Sequence, residues 1–112
     1  MEKMYNILIA DDEEGVRDFL EDLLKDSFNV DTIERGDTIL DRLNQKPCDI
    51  LILDLQLPGM NGIEVLRRIR ENKMDIVVVI ITASNDIETA ITSMKLGAYD
   101  YLVKPFDNDT LL

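Results

Sequence analysis

Histidine is absent from this chain of 112 residues. That excludes a Ser-His-Asp triad and a histidine-ligated metal, and any phosphohistidine in the protein's chemistry must come from another protein. Cysteine occurs once, at Cys48, so no internal disulfide can form. Cys48 follows Pro47 and leads into an apolar run with no activating group in its sequence neighbourhood. It reads as a small core or near-surface residue, not a reactive thiol. Basic residues are few: 12 Lys and Arg stand against 23 Asp and Glu, for a formal net charge of -11. Such a surface repels phosphate backbones and argues against direct nucleic-acid contact, although most of these acids read as solvated helix faces. Long apolar runs are missing as well. The longest, Ile76 to Ile81, falls far short of the roughly 20 residues that span a bilayer, so no membrane contact is expected. Glu2 and Lys3 precede only a short apolar run, so no signal peptide is expected and the cytoplasm is the expected compartment. A P-loop, a dinucleotide fingerprint, internal repeats and low-complexity segments are also absent.

What is present is one core's worth of apolar residues, 46% of the chain, laid out in alternating segments. Tyr5 to Ala10 is apolar and ends in Asp11-Asp12; Ile50 to Leu53 ends in Asp54; Ile76 to Ile81 ends in Thr82; Tyr101 to Val103 ends in Lys104. Short runs of this kind, rich in β-branched residues, read as buried parallel strands. Phe28 to Ile33 alternates instead, with Phe28, Val30 and Thr32 expected on one face. Between the strands lie helical patterns. Val16, Phe19, Leu20, Leu23 and Leu24 form a stripe; Ile39, Leu40 and Leu43 follow Gly36-Asp37; Ile63, Leu66 and Ile69 run beside outward Arg67, Arg68 and Arg70. Asn85 and Glu88 resemble a capping box opening a helix whose buried side is expected to be Ile87, Ala90, Ile91 and Met94, with Gly97 at C′. Pro58-Gly59 and Asn61-Gly62 mark a loop after the third strand, and Asp107 or Asn108 could cap a last helix. Five strands alternating with helices predict an α/β doubly wound parallel sheet.

All parallel strands end on one edge, the ligand-binding edge of open α/β sheets. That edge gathers Asp11, Asp12, Asp54, Thr82 and Lys104. The three carboxylates suit Mg²⁺, which takes oxygen ligands and often only one or two carboxylates. Without a cation, two carboxylates about 5 Å apart repel by roughly 3 kcal/mol at an effective dielectric near 20. Asp11 and Asp12 also suit helix N-caps, but that does not explain Asp54, which precedes a loop. Phosphoryl transfer needs an oxygen nucleophile and donors for the other oxygens. Asp54, Lys104 and Thr82 offer these.

Asp11-Asp12, Asp54 through Gly62, Ile81-Thr82-Ala83 and Lys104-Pro105-Phe106 together resemble the receiver domain of two-component response regulators, over essentially all of the chain. The resemblance implies a flavodoxin-like five-stranded sheet in the order 2-1-3-4-5. It implies that Asp54 accepts a phosphoryl group from a phosphohistidine on a sensor histidine kinase. It further implies that Asp12, Asp54 and the Gln56 backbone carbonyl ligate Mg²⁺, with Asp11 acting through water. Lys104 and Thr82 would bind the phosphoryl oxygens. Thr82 and Tyr101 would form a switch, and the Lys104-Pro105 bond would be cis. Gln56 and Ser84 occupy positions that tune the lifetime of the phosphorylated form in such domains. The face made by the fourth helix, fifth strand and last helix is expected to dimerise or to contact an effector.

A haloacid-dehalogenase-like phosphatase is disfavoured, because Gln56 stands where its second acid belongs. A flavodoxin is disfavoured by acids where its phosphate loop should be. An interaction-only pseudo-receiver would normally have lost Asp54 or Lys104. Residues 1–112 are expected to form one receiver domain with an incomplete last helix, cut from a longer regulator or a fragment of one. An apolar groove beside the first strand is then expected to be exposed. The effector outside the chain is expected to bind DNA, since Gly97 to Leu102 and Lys104 to Asp107 resemble receivers joined to transcriptional effectors, σ54-dependent activators among them.

Overall fold

The computed structural model describes residues 4–83 and 86–104. Its strands are β1 (Asn6–Ala10), β2 (Asn29–Ile33), β3 (Ile50–Asp54), β4 (Val77–Ala83) and β5 (Asp100–Lys104). They alternate with α1 (Glu14–Leu24), a 3₁₀ turn (Gly36–Thr38) running into α2 (Ile39–Gln45), α3 (Gly62–Glu71) and α4 (Ile87–Lys95). All strand pairs are parallel and the order is β2-β1-β3-β4-β5, the flavodoxin-like order that the resemblance implies.

The apolar runs lack alternation because both sheet faces are covered. Leu8, Ala10, Leu51, Leu53, Val78 and Ile80 pack on one face with Ile39 of α2 and Val65, Leu66 and Ile69 of α3. Ile7, Ile9, Ile52 and Ile81 pack on the other with Leu20 of α1. β2 is an edge strand; Val30 packs inward but Thr32 is exposed, so the expected three-residue face is only partly buried. Phe19 sits at the rim of its stripe, 36% exposed.

Two expectations about side-chain direction are corrected. Ile87, Ile91 and Met94 of α4 face outward, at 41%, 47% and 37% exposure, while Ala90 and Ser93 are fully buried. Small residues let α4 lie close to the sheet, and the Ser93 hydroxyl is satisfied by donating to the Ala90 carbonyl at 2.6 Å. Arg70 does not point outward with Arg67 and Arg68. Its guanidinium donates to the carbonyls of Met74, Ile76 and Gly97, at 3.4, 3.2 and 2.7 Å, tying the end of α3 to the entry of β4 and the α4–β5 turn. Gly97 has φ +102, as its place at C′ requires. Arg70→Ala would leave these carbonyls without their charged donor. A loss of about 1–2 kcal/mol, or roughly 5 °C in melting midpoint, is expected in thermal unfolding.

α4 begins after Asp86, whose Oδ1 accepts from the Thr89 hydroxyl at 2.8 Å. Asn85, Ser84, the Lys104-Pro105 bond, Phe106, Asp107, Asn108 and the last helix lie outside the described residues, and so does any groove defined by that helix.

Candidate functional site

Strand register builds the site. Ala10 pairs with Leu53, and Asp54 with Ile81, so Asp11 and Asp54 follow at the same level on neighbouring strands. Ile81 pairs with Leu102, two residues before Lys104, so Lys104 lies one pleat further along the same face and reaches back with its long side chain. Gly62 closes the loop after β3: a Cβ there would sit 2.7 Å from the Asp54 carbonyl oxygen, so only glycine lets α3 start against that backbone.

Asp11 is fully buried and Asp54 is 5% exposed, while Asp12 is exposed. One carboxylate oxygen of each lies within 4.8 Å of the others. Asp11 Oδ1 accepts from the Glu13 backbone N–H at 2.8 Å, which holds the turn into α1. The cap-like use of Asp11 is therefore partly real, but its other oxygen is not spent on it. Asp11 Oδ2 is buried and takes no well-directed hydrogen bond, although Lys104 Nζ is 2.9 Å away. Asp54 Oδ1 accepts from the Gln56 backbone N–H at 3.0 Å and Oδ2 from Lys104 at 3.2 Å.

A buried carboxylate oxygen lacking a directed partner, beside two further carboxylates, is the donor chemistry of a hard divalent cation, and these residues fit Mg²⁺. Burial pushes the Asp54 carboxyl above its usual range, the Gln56 N–H and Lys104 draw it down, and the Asp11 charge adds to the rise. Burial alone would lower the Lys104 ammonium. The hydrogen bond to Glu13 and the close negative charges of Asp11 and Asp54 outweigh it, and Lys104 is held above the ordinary lysine range.

Asp12, Glu13, Asp54, Gln56, Ala83 and Lys104 line a cleft of about 200 Å³ at this edge. Thr82, buried on the other side of β4 beside Ile80, is not among them, and its hydroxyl is directed to the Ala83 carbonyl at 3.4 Å. Tyr101, half-buried, packs on that same face. Gln56 reaches α4 through its side-chain amide, which donates to Asp86 at 3.4 Å. Glu13 was not singled out from the sequence as a site residue, yet it accepts from Lys104 at 2.9 Å. The available signal was a third acid directly after Asp11-Asp12. Cys48 is partly buried, donates to the Ile50 carbonyl, and burial pushes its thiol up, as expected of an inert cysteine. No helix among the described residues is long and apolar enough to cross a membrane.

Residues 7–112 match the family described as the response regulator receiver domain. The chain is 42% identical over 110 residues to the response regulator ArlR of Staphylococcus epidermidis, covering 97% of this chain and 50% of that protein. Against the ArlR of Staphylococcus haemolyticus it is 41% identical over 109 residues, covering 96% and 49%. The chain thus spans about half the length of these curated relatives. Among solved structures, the receiver domain of NtrX from Brucella abortus superposes with a TM-score of 0.87 at 33% identity, covering 94% of this chain and 90% of that one. A response regulator receiver domain protein from Clostridium thermocellum superposes with a TM-score of 0.87 at 31% identity, covering 96% and 88%.

Proposed function

This chain belongs to the response regulator receiver domain family, and from that premise we propose that Asp54 accepts a phosphoryl group from the phosphohistidine of a sensor histidine kinase. The observation that carries the reading is the placement of Asp54 Oδ2 on Lys104 at 3.2 Å, with Asp11 and Asp12 within 4.8 Å, at the open carboxyl edge of the sheet. An Asp54 carboxylate oxygen attacks phosphorus and a P–O bond forms as the P–N bond to imidazole breaks. The electron pair goes to the departing ring nitrogen, which takes a proton. The Gln56 N–H and Lys104 orient the carboxylate, and Lys104 offers charge to the incoming oxygens. Asp12, Asp54 and the Gln56 backbone carbonyl would hold Mg²⁺, with Asp11 acting through water. When bound, Mg²⁺ supplies positive charge shared by the acceptor and the phosphoryl oxygens.

The new group adds about -1.5 to -2 charges. Thr82 then leaves the Ala83 carbonyl for a phosphoryl oxygen, and Tyr101, on the same face, turns inward. The output surface is the outward side of α4 with β5, where Ile87, Ile91 and Met94 already present apolar surface to a second copy or an effector. Residues 1–112 act as the receiver of a cytoplasmic regulator whose attached effector binds DNA.

The test is intact mass after incubation with acetyl phosphate, with and without Mg²⁺. One phosphoryl adduct that needs both Mg²⁺ and Asp54 is expected, none on Asp54→Asn, and sedimentation of the adduct should report self-association. No adduct under any condition would leave an interaction-only domain.

A further inference from the structure

We infer that Glu13 is a displaceable occupant of Lys104, standing in the unphosphorylated protein where a phosphoryl oxygen must later bind. The inference rests on the receiver reading above and assigns a positioning role to a residue that this reading does not use. Three carboxylate oxygens crowd the Lys104 ammonium: Asp11 at 2.9 Å, Glu13 at 2.9 Å and Asp54 at 3.2 Å. A fourth anionic oxygen can reach it only if one of these withdraws. Asp11 is fully buried and has no water to withdraw into. Asp54 is the acceptor itself. The Glu13 side chain is 62% exposed, so its carboxylate recovers hydration when released.

The local structure of α1 carries the same message independently. Glu13 occupies the N-cap of α1 in extended conformation, and its side chain makes no cap hydrogen bond. An N-cap side chain normally accepts from the first-turn N–H groups, a task suited to Asp, Ser, Thr or Asn and poorly served by the longer Glu. Here the carboxylate at the positive end of the helix leaves those donors and reaches Lys104 across the cleft, 91 positions away in sequence. The extra methylene of Glu is what makes that reach available.

The step concerned is the one described above: Asp54 oxygen to phosphorus, with acetate leaving when acetyl phosphate is the donor. Glu13 takes no part in bond making. It competes with the phosphoryl oxygens for one ammonium, and so slows acceptance.

The experiment follows the rate of adduct formation from acetyl phosphate and Mg²⁺ by intact mass in the wild type, Glu13→Gln and Glu13→Asp, with melting midpoints alongside. Glu13→Asp keeps the charge but shortens the reach and restores a good cap. Both variants are expected to accept the phosphoryl group about 2- to 5-fold faster, the range of one partly exposed ion pair. Glu13→Asp is also expected to melt higher. Wild-type rates in both variants, or slower ones, would overturn the inference. So would acceleration in Glu13→Gln alone, which would mean that only the general field matters. A shift in melting midpoint without a change in rate would reduce Glu13 to a structural residue. A wild type that takes no adduct would instead sink the receiver reading, and this inference with it.

Discussion

In metal-free buffer, Lys104→Met is expected to destabilise the fold by about 3 kcal/mol, roughly 10 °C in melting midpoint. Methionine fills similar space, so the loss is electrostatic. It leaves Asp11, fully buried, and Asp54, 5% exposed, next to one another with no cation between them. Removing one partner of a buried charge cluster is far more damaging than never having had the cluster, because the remaining charges stay desolvated. The deficit should shrink on acidification, as the raised Asp54 carboxyl takes up its proton, and on adding Mg²⁺, which replaces the lost charge. Phosphoryl acceptance should fall about 10²- to 10³-fold, as for the loss of one preorganised donor to developing charge. Thermal melts with and without Mg²⁺ decide the matter. A midpoint within a degree of wild type would mean that the acidic cluster is not under electrostatic strain, and the argument for a cation there would go.

Mg²⁺ at about a hundred times its dissociation constant should stabilise the wild type by about 2.7 kcal/mol, again roughly 10 °C. Asp54→Asn should lose most of that response while melting higher than wild type in metal-free buffer at neutral pH. The sign follows from the direction of the Asp54 shift. Burial, reinforced by the Asp11 charge against the pull of Gln56 and Lys104, raises the carboxyl in the folded state. The folded protein therefore binds this proton more tightly than the unfolded chain. Stability falls as pH rises from the unfolded value, about 3.9, through the folded one. The metal-free advantage of Asp54→Asn thus grows as pH rises from about 3.9 through the folded value and is gone below about 3.9. A variant that melts at or below wild type across that whole range would mean that the Lys104 contact outweighs burial at Asp54.

Much of the site is legible in the sequence, for a simple reason. A parallel sheet puts every strand's carboxyl end on one edge, so polar residues that terminate apolar runs converge whatever the loops do. Asp11, Asp54 and Lys104 are brought together in that way. Asp12 joins them as the next residue, within the same 4.8 Å cluster. What periodicity misjudged was direction. The stripe Ile87, Ile91 and Met94 has the spacing of a buried face, yet small Ala90 and Ser93 pack inward, because the separation between α4 and the sheet, not hydrophobicity alone, selects which side fits. Arg70 reads as one of three outward cations, but its guanidinium turns to the carbonyls of Met74, Ile76 and Gly97, at the entry of β4 and in the α4–β5 turn.

The sequence by itself determined the alternation of strands and helices, the edge on which the chemistry lies and the identity of its acids and its lysine. These are local properties: run length, spacing, and which residue ends each run. Only the tertiary structure decided how the charges are shared. It gave Glu13 to Lys104 across 91 positions, left Asp11 Oδ2 buried without a directed partner, and turned the Thr82 hydroxyl to the Ala83 carbonyl. Those outcomes depend on distances between distant segments and on which oxygens lose their water, and no local pattern carries either.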